Sequence, residues 1–142
     1  MSGEPAQPTA APAASRLAGA LAPAWGLAGF AACWSVAGLE PNLVEEGLVL
    51  HVAQRLAAGE HLYRDIVFFT GPLPFEALGA LFRLFGQEIA VARTAAAALH
   101  GLATAATYAF VRRSGGGALA FAAAASVAAA PLLLFPLFSM FY

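Results

Sequence analysis

Residues 89–138 read IAVARTAAAALHGLATAATYAFVRRSGGGALAFAAAASVAAAPLLLFPLF, and this stretch decides the fold. Its first part, residues 89–111, carries one charge, Arg93 near the start, with His100 in the middle. At 1.5 Å per residue, about 20 apolar residues cross a hydrocarbon core of roughly 30 Å, so this segment predicts a membrane span. Arg112 and Arg113 stop it. Residues 118–138 contain no charge and predict a further span. Pro131 and Pro136 fall in its later half and predict that the helix ends near Ala130, where the chain turns back into the membrane region. Gly115-Gly116-Gly117 between the two is a turn; it is no phosphate loop, because no strand precedes it and no Lys follows.

Working outward, residues 17–39 are free of charge and predict the first span, with Trp25 and Trp34 as candidate interface anchors. A cleavable signal peptide is the competing reading of residues 17–30, but only Arg16 supplies a basic flank. Ala31-Ala32-Cys33 hints at a lipoprotein cleavage site, with Phe30 where an aliphatic residue is wanted. Residues 1–15, rich in Pro and Ala with Glu4 as their one charge, read as a disordered tail, leaving 16–142 as a single membrane domain. Composition agrees with lipid surroundings. The 142 residues are 61% hydrophobic and 11% charged, with a mean hydropathy of +0.74; a soluble domain carries about a quarter charged residues. A net charge of −1 and the lack of a basic run give no sign of nucleic-acid binding. Every basic residue is Arg, which with the abundant Ala and Gly points to a GC-rich genome. The single cysteine, Cys33, excludes an intramolecular disulfide and implies no metal cluster.

Orientation follows the arginines. Arg16 and the Arg112-Arg113 pair are two crossings apart, so they share a side, predicted to be the cytoplasm. Residues 40–88 then face outward, and they hold seven of the eight acidic residues and three Arg. Within this loop Leu48, Val49, Val52, Ala53 and Leu56 share one helical arc, opposite His51, Gln54 and Arg55, with Gly59 as terminator. A second short helix follows Pro72 and Pro74. Phe75, Leu78, Leu81, Phe82 and Phe85 line one face, Glu76, Gly79, Arg83 and Gln87 the other, and Gly86 closes it. Both are too short and polar to span and are predicted to lie at the membrane surface. If the second spanned instead, Glu76 and Arg83 would need pairing in lipid or a cavity. The fold class expected is therefore all-α integral membrane, with about three transmembrane helices and two amphipathic interfacial helices in the first outward loop.

Five pieces of this region share an order: Glu45-Glu46-Gly47, Ala57-Ala58-Gly59-Glu60-His61-Leu62-Tyr63-Arg64-Asp65, Gly71-Pro72-Leu73, Leu84-Phe85-Gly86 and Ala92-Arg93. That order resembles the first-loop signature of GT-C membrane glycosyltransferases, with dolichyl-phosphate-mannose protein mannosyltransferases and bacterial aminoarabinose and related lipid-A glycosyltransferases as the nearest comparisons. The resemblance covers about residues 40–131; each piece is weak, and the spacing carries the weight. It implies a GT-C fold, a polyprenyl-phosphate-linked sugar donor and a transfer on the outer face of the membrane. It also implies an acidic base at the start of the loop, which falls on Glu45 and Glu46. The family more often has Asp first, so Glu45 is a departure that moves the carboxylate by one methylene. The departing phosphate calls for cations, for which Arg64, Arg93 and His61 are candidates, with His51 beside them. No cofactor is specified; such transferases differ in metal dependence, so a divalent metal stays open.

Each residue has a plainer reading. Asn42 and Glu45 have capping-box spacing. Arg55 and His51 fit a solvated or headgroup-facing polar face. Arg64 and Asp65 fit a mutual turn contact. Arg93, one turn into a span, fits snorkelling to the interface. His100 fits a helix–helix hydrogen bond. Three spans are few for a lipid-donor cavity, and the abrupt apolar end at Phe141-Tyr142 suggests a fragment, or a split or degenerate protein that needs a partner membrane subunit. The alternatives are a small non-enzymatic membrane subunit and a transporter fragment, for which His100, Thr104 and Thr107 would be the polar mid-span groups. The location expected is a bacterial inner membrane with a cytoplasmic N-terminus.

Overall fold

The computed structural model describes residues 11–39, 45–69 and 71–134, except the side chains of residues 11–19, Glu45 and Leu134. Most of the tail expectation, the Asn42 cap, Pro136 and the Phe141-Tyr142 end lie outside the described residues. Four helices follow in order: α1 (Ala11–Ser35), α2 (Glu45–Ala57), α3 (Leu73–Phe85) and α4 (Ile89–Leu134). Among the described residues there is no strand beyond an isolated bridge between Leu62 and Ile66. Helix α1 begins at Ala11, so residues 11–15 of the stretch read as tail are helical, and it runs through Pro23.

Helix α4 is long and apolar enough over Ile89–Leu133 to cross a membrane. Straight, its length would be roughly 68 Å, more than twice a bilayer core. It is not straight. Gly116 sits at φ 82° and ψ 176°, a backbone that residues with a Cβ rarely adopt, and there the helix divides into two arms. The Trp25 ring lies 6.4 Å from that of Tyr108 and 4.9 Å from that of Phe121. Those two residues would stand about 20 Å apart along an unbroken helix, so the chain folds back at the triple glycine. Tyr108 packs with Ala120 and Ala124, and Ala22, Trp25 and Val111 complete the cluster. The expected end near Ala130 is not observed. The second arm continues through Pro131 to Leu134, losing only the one N–H that proline lacks.

Helix α1 runs antiparallel to the first arm of α4 at very close range. A Cβ on Gly101 would lie 2.6 Å from the Gly26 carbonyl oxygen, and one on Gly29 would lie 2.4 Å from Thr104 Oγ1. Small residues let two backbones approach this closely, and dispersion then holds them where lipid removes the hydrophobic drive.

Helices α2 and α3 form a separate hairpin-like pair. Val52 and Leu56 of α2 pack with Leu62, Ile66 and Phe75, while Ala53 packs with Leu78 and Phe82 of α3 and Ala92 of α4. Gly59 ends α2 at φ 100° and Gly86 caps α3 at φ 99°. The buried faces differ from the expected arcs at three positions. Leu48 and Phe85 are exposed, and Gly79, assigned to the polar face of α3, is buried against α2. A Cβ there would meet that of Leu56 at 3.0 Å, so the lack of a side chain at Gly79 lets α3 lie close against α2.

Candidate functional site

Glu46 occupies the first turn of α2, where the helix dipole and free N–H groups favour a negative charge. Its side chain is fully buried. Arg93, in the second turn of α4, reaches it from 47 positions away, and Nη2 donates to Glu46 Oε2 at 2.9 Å. The other edge of the guanidinium faces α1. Nη1 donates to the carbonyl oxygens of Ala37 and Leu39, the latter at 3.2 Å, just past the end of that helix. The cation thus sits at a helix C-terminus and the anion at a helix N-terminus, each placed to complement a dipole. One ion pair joins three elements.

Burying both charges costs several kcal/mol per ion, which mutual attraction and added hydrogen bonds must offset. That offset is incomplete here. Glu46 Oε1 and Arg93 Nε are both buried without a hydrogen-bond partner among the described residues. Buried polar atoms are rarely left unpaired, and such exceptions mark strain, function or an absent ligand. Beside the pair, an open cavity of about 320 Å³ is lined by Trp34, Ala37, Gly38, Ile89, Ala90 and Arg93.

The other candidate cations lie elsewhere. His61 and Arg64 are on the loop after α2, at the opposite end of that helix from Glu46, roughly 17 Å along its axis. Arg64 Nε and Nη2 donate to the Asp65 carboxylate at 3.0 and 2.8 Å, which is the mutual turn contact. His61 donates its backbone N–H to Asp65 Oδ2 at 2.9 Å. The Arg64 guanidinium, and then the His61 N–H, hold the Asp65 carboxyl well below its ordinary value of 3.8, at about 2. Tyr63, at φ 66°, provides the tight turn on which this contact rests. Arg55 closes the loop from α2 by pairing with Glu60 and donating to the Asp65 carbonyl oxygen at 3.2 Å. His51 is exposed on α2. The Glu45 backbone starts α2, and its side chain lies outside the described residues.

Two roles were not visible in the sequence. Arg83 donates through Nη2 to the Leu56 carbonyl oxygen at 2.6 Å and caps the last turn of α2. Trp34 lies beside Arg93 in the cavity, where its spacing suggested only an interface anchor. His100 Nε2 is buried with no partner, and Thr104 is spent on its own helix, donating to the His100 carbonyl oxygen at 2.9 Å. Among the described residues, no group of three or more His, Cys, Asp or Glu converges as a metal site would require. No protein-family model, curated protein or solved structure matches the chain.

Proposed function

We propose that the chain is the amino-terminal portion of a polytopic transferase that moves a sugar from a polyprenyl-phosphate donor to an acceptor on the outer face of a membrane. In this reading α1 and the two arms of α4 make three crossings, and the α2–α3 pair lies at the outer surface. The single observation that supports it is the Glu46–Arg93 pair. Two of the five candidate site residues, distant in sequence, meet in a buried contact at the end of the longest apolar helix.

Glu46 is the base in this scheme, with Glu45 beside it in sequence. Oε2 is oriented by Arg93, and Oε1 is the oxygen left to accept the proton of an acceptor hydroxyl. Attack of the deprotonated oxygen on the anomeric carbon breaks the bond to the donor phosphate, which leaves as polyprenyl phosphate. Arg93 is the cation closest to Glu46 and answers the charge that develops on that phosphate. His61 and Arg64 stand apart from it on the turn around Asp65, and in this reading they face an outer portion of the donor.

The second reading is a non-enzymatic membrane subunit, and it also rests on an observation. Glu46 is sealed from solvent and its charge is matched one to one, as in an ionic clasp that fixes helix positions. Glu46→Gln and Glu45→Gln, assayed in the full-length context with a polyprenyl-phosphate sugar, separate the two. Loss of transfer per folded molecule supports the base; full turnover by both variants excludes it.

A further inference from the structure

We infer that the Glu46–Arg93 pair is a latch opened by a phosphoryl anion, which takes the Arg93 guanidinium from the adjoining cavity and releases the Glu46 carboxylate. The inference rests on the reading of Glu46 as base and Arg93 as phosphate ligand. It supplies what that reading lacks, since the two residues cannot serve acceptor and donor while spent on each other.

Three features carry it. First, a guanidinium offers five N–H donors arranged as forks. On Arg93 the Nη1 donors are occupied by two carbonyls beyond α1, so that side is fixed. What remains is Nη2, which meets Glu46 by one oxygen, and Nε, which meets nothing. A phosphoryl group, with several oxygens in one plane of approach, satisfies both donors at once; two-point pairs of this kind are the strong ones. Second, Arg93 lines the 320 Å³ cavity, whose lining holds no carboxylate among the described residues. Ile89 and Ala90, where the apolar run of α4 begins, line the same cavity. In the three-crossing arrangement proposed above, this end of α4 lies at the level of the outer headgroups. Third, the carboxylate to be released is poised to act. Its oxygen Oε1 has no hydrogen-bond partner among the described residues, and displacement of Arg93 frees Oε2 as well.

Trp34 shares the cavity with Arg93 and provides the signal. The chain has two tryptophans, so Trp25→Phe leaves Trp34 as its sole indole emitter. The full chain carrying Trp25→Phe is placed in phosphatidylcholine nanodiscs and titrated with inorganic phosphate at constant ionic strength, with sodium chloride as the control. A parallel series replaces part of the phosphatidylcholine with phosphatidic acid. Trp34 emission is expected to respond to phosphoryl anion and not to chloride. A response to both phosphate and phosphatidic acid marks a site open to free phosphate, and a response to phosphatidic acid alone marks a headgroup site; either supports the latch. Glu46→Gln removes the competing charge and is expected to tighten binding about tenfold, while Arg93→Lys, which keeps charge but loses the fork, weakens it about tenfold. No response to either phosphoryl source overturns the inference, and so does equal affinity in wild type and Glu46→Gln. Transfer activity is not read in this experiment, so a latch that fails leaves the base assignment standing, and a failed base leaves the anion site measurable.

Discussion

Arg93 grips Glu46 with one part of its guanidinium and the carbonyls of Ala37 and Leu39 with another, so a single side chain fixes the end of α1 against the start of α2. Leu39 and Glu46 are thereby both tied to α4. Removing either charge leaves the other buried and unpaired. Arg93→Met and Glu46→Gln are each expected to destabilise the fold by about 3–5 kcal/mol, and the double variant by less than their sum. Unfolding by SDS titration from mild detergent checks this. Additive losses would mean that the pair is not energetically coupled.

The crossing of α1 over α4 depends on the absence of side chains at Gly26 and Gly101. Gly101→Ala places a methyl group 2.6 Å from the Gly26 carbonyl oxygen, which the helices can relieve only by moving apart. A loss of about 1–3 kcal/mol is expected in the same unfolding assay. Gly38→Ala, where a Cβ meets nothing within 4 Å, is the matched control and is expected to be neutral.

At Gly116 the reason is backbone and not space. A Cβ there also meets nothing, yet φ 82° with ψ 176° is a conformation restricted almost to glycine. Gly116→Ala is expected to cost about 1–3 kcal/mol and to loosen the return of the second arm onto Trp25. A red shift of Trp25 emission, read in a Trp34→Phe background, reports that loosening.

The Arg64–Asp65 contact makes a pH prediction. The Asp65 carboxyl is depressed in the folded chain from 3.8 to about 2, first by Arg64 and then by the His61 N–H. A group with a depressed folded value contributes stability above its unfolded value and loses it as pH falls through the folded one. The loop therefore keeps this contribution above pH 3.8 and loses it toward pH 2. The contact is solvent-exposed, so its effect is local. Carboxyl carbon NMR of Asp65 should show a midpoint near 2, and Arg64→Gln should return it toward 3.8.

Much of this architecture could be read from local pattern. The turn at residues 115–117, the helix starts after Pro72 and the stops at Gly59 and Gly86 follow from glycine and proline chemistry within a few residues. What escaped reading is long-range. Arg93 looked like a snorkelling residue because hydropathy records only its sequence neighbours, and nothing local announces Glu46 47 positions earlier. Gly79 was placed on the polar face because a residue without a side chain has little hydropathy, although that lack is what lets α3 touch Leu56. Pro131 was expected to end its helix. It did not, because the loss of one intrahelical N–H is tolerated where flanking residues remain helical.

Sidedness can be measured without a substrate. After replacing Cys33, the chain's only cysteine, Val67→Cys is expected to react with an impermeant maleimide added outside intact cells. Val67 is 95% exposed, so its own fold does not shield it from the reagent. Ser114→Cys, in the exposed turn between the α4 arms, is expected to react only after permeabilisation. Labelling of both from one side would contradict the three-crossing arrangement.

The central claim is that Glu46 is the proton-accepting carboxylate of a sugar transfer. Its most direct measurement is the turnover of Glu46→Gln and Glu45→Gln in the full-length context, with a radiolabelled polyprenyl-phosphate sugar as donor. Removal of a positioned base costs about 10²–10⁴-fold in rate, and a loss of that size per folded molecule is expected for Glu46→Gln, beyond what its lower stability removes. Full turnover by both variants would contradict the claim and leave the pair as a structural clasp.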